Sequence, residues 1–285
     1  MSYYSCKWDE FFQQITVYTE VTAHCNNKCV FCPIDKLSRV GFIKKEVRDR
    51  VVQFLSSHPD IKFKTFFHQL GEPLLYKDLE SYISLLAPLP NVDMWMATNG
   101  VLLTPQKLES LYLAGLRNIW YSMFYTNEED YSKNTQTNNF ITSRDNLNYL
   151  LSKSNLFKRI HIVSFSSKAD EIQQDISNKK NISIETGRRI REWRFDKIYS
   201  FIAKMVFAYF SKIDPRKYIC ISVNGDLTYH WRDYNFLNSI GNICELNDED
   251  ILKGFISSSF FLKVKKLFPF NLNGLSKDIN NEFSF

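Results

Sequence analysis

Between Gln13 and Phe165 the chain alternates strand-like and helix-like segments at a spacing that few folds accommodate. Gln13–Thr22 is rich in β-branched residues, and residues 61–70, 91–98, 117–124 and 158–165 have the same character. Between them, residues 44–57 carry helical spacing through Val47, Val51, Val52 and Leu55, and residues 77–87 form a helical pattern ended by Pro88. Residues 104–116 open on Thr104 as N-cap with Pro105 in the first turn and stop at Gly115, and residues 143–154 complete the series. Such alternation predicts βαβ units around a parallel sheet. Right-handed crossovers then bring the C-terminal end of every strand to one face, where barrels of this kind place their chemistry.

The polar motifs fall on that face. Cys25 follows the first strand, Gly71-Glu72-Pro73 the second and Thr98-Asn99-Gly100 the third, while Ser122 stands near the end of the fourth. Taken singly, Gly-Glu-Pro and Asn-Gly are ordinary turns and a strand serine is an ordinary hydrogen-bond partner. Four such features at four successive strand ends read together as a site.

The first of these motifs is the most demanding chemically. In "TAHCNNKCVFCPI" three cysteines, Cys25, Cys29 and Cys32, are spaced C-x3-C-x2-C. The chain has six cysteines among 285 residues, too few and too clustered for a secreted disulfide framework, so the expected compartment is the reducing cytoplasm. Structural zinc draws on paired knuckles, and no second knuckle is present, which leaves zinc with His24 or a distant ligand, or plain buried thiols, as alternatives. A [4Fe-4S] cluster normally takes four thiolates; three would leave one iron open to a non-protein ligand.

"CNNKCVFCP" resembles the signature loop of the radical SAM enzymes, and "FHQLGEPLL", "MATNGVLLT" and "IWYSMF" resemble the segments that follow it in that superfamily, in order, over residues 13–165. The resemblance implies a partial (β/α)6, TIM-like barrel, here with a small C-terminal α+β cap. It implies one [4Fe-4S] cluster on Cys25, Cys29 and Cys32, with S-adenosyl-L-methionine (SAM) on the open iron. Phe31 would lie near the adenine, Gly71, Glu72 and Pro73 would form the ledge for the methionine amino group, Ser122 would bond the ribose, and Asn99 would lie near the same pocket. The implied chemistry is reductive cleavage of SAM to a 5′-deoxyadenosyl radical, which takes a hydrogen atom from a substrate that the protein positions and shields from water. A flavodoxin- or ferredoxin-type donor would supply the electron.

After residue 180 the pattern changes, which divides the chain into an expected core at 1–180 and an extension at 181–285. In the extension "ISVNGDLTYHWRDYNFLNSIGNI" reads as a hairpin turning at Asn224-Gly225 and resembles the SPASM/twitch caps of radical SAM enzymes. His230 stands where those caps carry a cysteine, and no cysteine follows Cys244, so the resemblance implies a degenerate cap without an auxiliary cluster. That favours redox-neutral outcomes such as epimerisation, elimination or rearrangement. Cys220, His230 and His68 are the candidate catalytic groups; the alternatives are a buried structural thiol for Cys220, a structural or substrate-contacting hairpin histidine for His230, and a ring satisfied by backbone for His68. Arg188, Arg189, Arg191 and Arg194 form either an anion clamp for substrate or a solvated charged face. A helix is expected from Asp248 to about Leu267, followed by an irregular tail.

The net charge of +5 contains no long basic block, so nucleic acid is an unlikely partner, and no apolar run reaches the length of a membrane helix. A small polar substrate of carbohydrate or nucleotide-sugar type is the leading expectation. Modification of a peptide or protein is the alternative, weighed against by the 24 residues that precede Cys25. RNA base modification and a zinc-bound binding module stand further back.

Overall fold

A computed structural model describes residues 14–165, 179–185, 218–229 and 233–257. Strands β1 (Gln14–Thr19), β2 (Lys62–Phe66), β3 (Val92–Thr98), β4 (Asn118–Ser122) and β5 (Arg159–Val163) pair in sequence order, all parallel. β6 (Ile182–Glu185) adds to β5, also parallel. The expected boundary at residue 180 therefore falls just before a strand that continues the barrel sheet. At the other edge β7 (Tyr218–Ile221) lies parallel to β1 and starts an antiparallel ribbon with β8 (Asp226–Thr228) and β9 (Gly241–Asn242). The turn between β7 and β8 runs through Asn224-Gly225, as the hairpin signal predicts, with Gly225 at φ +94°. The result is a partial, TIM-like α/β barrel with a short ribbon added beside its first strand.

The helices cover one face of the sheet. They are α1 (Lys45–Ser56), α2 (Leu79–Leu86), α3 (Pro105–Ala114), α4 (Glu128–Thr135), α5 (Phe140–Ser152) and α6 (Asp248–Ser257). The caps read from sequence are in place on α3: Thr104 Oγ1 accepts the Lys107 N–H at 3.2 Å, and Gly115 ends the helix in the left-handed region. Strand alternation sends Val17, Phe63, Met96, Ile119 and Ile160 to the helical side, where they meet Val51, Phe54, Ile83 and Leu111 in one continuous core. The residues between them face the barrel lumen, and there most of the side chains are aromatic or polar instead. This is the one-sided pattern of a barrel whose inner face is not fully packed.

The sequence reading did not anticipate α4. Its signal was present: Asn127 caps the helix by accepting from Asp130 N at 2.8 Å, and Glu128, Glu129 and Asp130 fill the first turn. Of the expected helix beyond Asp248, the stretch after Ser257 lies outside the described residues, as does the tail.

Candidate active site

The loop that follows β1 is held open from both sides. Thr22 bridges to Phe42, its hydroxyl donates to the Gly41 carbonyl at 3.2 Å, and it accepts from His24 N at 3.0 Å. Further along, Lys28 N and Val30 N donate to the carbonyls of Thr135 and Asn134 at 2.9 and 2.8 Å. The C-terminal end of α4 thus carries the middle of the cysteine loop, and its orphan carbonyls find partners there. Cys32 N donates to Cys29 O at 2.9 Å, and Cys32 then precedes the 3-10 turn Pro33–Lys36, with Pro33 in the first position.

Cys25, Cys29 and Cys32 are all free thiols and all half-buried. Burial, with the Glu72 carboxylate nearby, pushes the Cys25 thiol up to about 12, and burial with Cys32 and Cys25 pushes Cys29 up as well. Three thiols gathered in one half-buried loop make a donor set that a positively charged iron cluster would draw to the thiolate form. The residues fit the cluster that the spacing implies.

Two further strand ends lock onto this loop. Gly71 passes so close to the loop that a Cβ there would stand 2.1 Å from the Thr22 carbonyl oxygen and 2.8 Å from that of His24. Only a residue without a side chain permits the next contact, Glu72 N to His24 O at 2.8 Å. The Glu72 carboxylate turns inward. Its Oε2 accepts from Asn99 N at 2.8 Å, and its Oε1 accepts from the Thr98 hydroxyl at 2.8 Å and from Leu74 N at 3.2 Å. Burial nevertheless raises this carboxyl to about 7, because the three donors offset only part of the desolvation.

Asn99 completes the link. Its Oδ1 accepts from Val101 N at 3.0 Å, which fixes its Nδ2 toward Asn26 Oδ1 at 2.7 Å and Cys25 Sγ at 3.8 Å. Gly100 follows at φ +78°, and a Cβ there would meet the Tyr121 hydroxyl at 1.7 Å. That hydroxyl donates to the Ser143 carbonyl at 2.5 Å. Three of the four motifs are therefore one hydrogen-bonded unit.

Phe31 sits edge-on to both Phe124 and Phe165, at 5.3 and 5.2 Å, and those two rings stack on each other at 4.6 Å. Ser122 is half-buried at the end of β4, with no side-chain hydrogen bond among the described residues. His24 is exposed, its ring tilted on Phe42 at 5.3 Å. His68 follows β2 on the lumen side, its Nδ1 buried without a partner, so its backbone does not satisfy that atom. Cys220 is wholly buried in β7 beside Tyr18 of β1 and Thr228 of β8, which pushes its thiol up. His230, Arg188, Arg189, Arg191 and Arg194 lie outside the described residues.

One contact was not legible in the motifs. Arg39, just past the cysteine loop, forms a buried pair with Glu20 at 2.5 Å, donates to the Tyr234 carbonyl, and lies over the Phe236 ring at 4.7 Å. Val223 N also donates to Glu20 Oε2 at 3.2 Å. The pair fastens the loop to the C-terminal ribbon. Only the pairing of an acid at the end of β1 with a lone arginine hinted at it.

Fold and site together define an α/β-barrel enzyme with a three-thiol loop after its first strand. Residues 19–163 match the Radical SAM superfamily, and the chain belongs to that superfamily. Its cofactors are accordingly a [4Fe-4S] cluster and SAM. The S-adenosyl-L-methionine-dependent 2-deoxy-scyllo-inosamine dehydrogenase of Niallia circulans is 31% identical over 112 residues, 38% of this chain and 44% of that protein. A GTP 3′,8-cyclase of Clostridium acetobutylicum is 28% identical over 122 residues, 41% of this chain and 37% of the cyclase. The matches thus span less than half the length of these relatives. In fold, the chain is similar to BtrN in complex with AdoMet and 2-DOIA, with a TM-score of 0.59 at 19% identity over 88% of this chain and 85% of that one. It is similar to native anSMEcpe with bound AdoMet, with a TM-score of 0.62 at 14% identity over 89% and 83%. SuiB of Streptococcus suis bound to precursor peptide SuiA gives 0.60 at 13% identity over 86% and 67%.

Proposed function

We propose that this radical SAM enzyme abstracts a hydrogen atom from a small polar ring substrate, carbohydrate- or aminocyclitol-like, with a redox-neutral outcome. The observation that carries the site assignment is the hydrogen-bonded unit that joins Cys25, Glu72 and Asn99 across three strand ends. The dehydrogenase relative, whose name specifies an inosamine, supports the substrate class. When bound, the cluster and SAM supply one-electron cleavage of the sulfonium and a strong hydrogen-atom acceptor.

The chain's own residues do the rest. Cys25, Cys29 and Cys32 hold the cluster. Because both Glu72 oxygens are engaged with β3 and the neighbouring turn, Glu72 braces the ledge, and the backbone of Gly71–Pro73 is left to receive the methionine ammonium. Ser122 offers a free hydroxyl to the ribose, Asn99 fixes the cysteine loop beside it, and Phe31 provides an aromatic wall near the adenine. A flavodoxin- or ferredoxin-type donor in a reducing cytoplasm would deliver the electron. The ribbon β7–β9 with α6 would act as a twitch-like cap that carries no cluster, since Cys220 is wholly buried and Cys244 exposed. No helix of the described residues is long and apolar enough to cross a membrane.

The test is anaerobic reconstitution followed by reduction in the presence of SAM and deuterated 2-deoxy-scyllo-inosamine. Expected are 5′-deoxyadenosine bearing deuterium and an isomerised or dehydrated product. Deuterium transfer only from a peptide would favour peptide modification, and a ketone product would reject the redox-neutral outcome.

A further inference from the structure

Beneath the cofactor residues the lumen carries a continuous set of rings. Tyr218, Tyr18 and Phe66 stand stacked across β7, β1 and β2, with centroids 6.2 and 5.0 Å apart. Two rings lie crosswise to this stack. His68 meets Tyr18 and Phe66 edge-to-face at 5.9 and 5.6 Å, and Trp120 meets Phe66 at 6.3 Å with a 73° interplanar angle. Below them lies a charged layer. Arg159 pairs with Asp93, Asn118 Nδ2 and Trp95 Nε1 bond the same carboxylate at 3.0 and 2.9 Å, and Lys64 covers the Trp95 ring at 4.6 Å. The rings are thus a floor with a charged plug under it.

That floor has an uncommon composition. Barrel interiors that serve only as core are filled with branched aliphatic side chains, and the helical side of these same strands, with Ile15, Val17, Ile119, Ile160 and Ile162, is richer in them. On the lumen side Tyr18, His68, Trp120 and Tyr218 are half-buried, so part of each ring remains accessible. Ser122, the ribose candidate, is two residues after Trp120 on the same strand face, which sets the floor one layer below the cofactor. Burial holds His68 neutral, down to about 4, so its ring offers a neutral polar edge among aromatic faces.

We infer that Trp120 and His68 are the specificity-determining pair of the substrate site and take a six-membered polyol ring, cyclitol or pyranose, with its C–H face on Trp120 and one hydroxyl on the His68 Nε2 edge. The inference rests on the small-substrate reading above. A polyol ring has an apolar face and a hydroxyl rim, the two chemistries that this floor presents, whereas an open-chain polyol has no flat apolar face to stack.

The experiment is anaerobic calorimetric titration of the reconstituted, SAM-loaded enzyme with 2-deoxy-scyllo-inosamine, glucosamine and the open-chain control sorbitol. At least one ring compound binds and sorbitol does not. Trp120→Ala weakens the ring compound about tenfold, Trp120→Phe less, and His68→Phe, which keeps the ring and loses the polar edge, about fivefold. Leu113→Ala, on the exposed side of α3, leaves the affinity unchanged. If Trp120→Ala does not fold, Trp120→Phe and His68→Phe decide. Binding of sorbitol as tight as that of the rings, no ring binding at all, or ring binding that ignores both Trp120→Phe and His68→Phe overturns the inference. Formation of 5′-deoxyadenosine by the wild-type enzyme is scored in parallel; its loss counts against the radical reading itself.

Discussion

The carboxylate of Glu72 accepts the backbone N–H of Asn99 at 2.8 Å, which joins the end of β2 to the end of β3. Glu72→Gln turns an acceptor into a donor facing at least one of three N–H or O–H groups. The expected cost is about 1–3 kcal/mol of stability, read by chemical denaturation, together with weaker SAM binding. An unchanged midpoint would remove Glu72 from its bracing role.

The same group makes apoprotein stability depend on pH. Its folded-state pKa, about 7, lies above that of an exposed carboxyl, so the folded state holds the extra proton between the two values. The stability this proton supplies is fully present below the unfolded pKa and is lost as pH rises through about 7, with a slope of at most ~1.4 kcal/mol per pH unit. The difference between wild type and Glu72→Gln, followed by denaturation from pH 5 to 8, should shrink as pH rises. A difference independent of pH contradicts it.

Cys29→Ala should lose the cluster. Wild-type protein reconstituted without oxygen is expected to carry about four irons and absorb broadly near ~400 nm; the variant should carry far less iron and form no 5′-deoxyadenosine. Stoichiometric zinc in the wild type would reverse the assignment, and about eight irons would reject a single cluster.

Gly71→Ala places a methyl group against the Thr22 carbonyl oxygen, and backbone cannot yield as a side-chain tip does. The cysteine loop must shift. An expected drop of about 100-fold in SAM cleavage follows from displacement of that order, with the far-ultraviolet circular dichroism spectrum retained. Ser122→Ala should act more narrowly, raising the SAM dissociation constant about fivefold with iron content intact.

Arg39→Met leaves Glu20 buried and unpaired, at an expected cost of about 3–5 kcal/mol. The double change Arg39→Met with Glu20→Leu should recover most of it. Denaturation of the three proteins tests this; if the double variant is no better than the single one, the pair does not act as a unit.

The sequence made the barrel legible because its strands alternate on a largely apolar core face, and Val17, Met96 and Ile119 needed no tertiary information to be placed. The four strand-end motifs were legible for the same reason, since topology alone brings strand ends together. What motifs could not convey was the direction of a side chain. Glu72 reads as part of the cofactor ledge, yet its oxygens turn to the end of β3 and to its own turn because the Thr98 hydroxyl and the Asn99 and Leu74 N–H groups would otherwise be buried unpaired. Likewise α4 was hidden by its polarity: its stability comes from capping and from the cysteine loop it carries, and neither leaves a hydrophobic period. The link from the Glu20–Arg39 pair to the ribbon and the lumen rings depend on segments far apart in sequence, where spacing carries no signal.

The place of β7 beside β1 has a consequence for the ribosome. The edge of β1 from Thr16 to Thr19 is covered by residues 218–221, about 200 positions later in the chain. Until that segment has been synthesised, the first strand keeps an unpaired edge, and the loop carrying the three cysteines hangs from its end without the Tyr234 carbonyl to receive Arg39. The nascent protein therefore carries its three-cysteine loop on an unfinished sheet for most of its translation, with the open strand edge exposed to aggregation throughout.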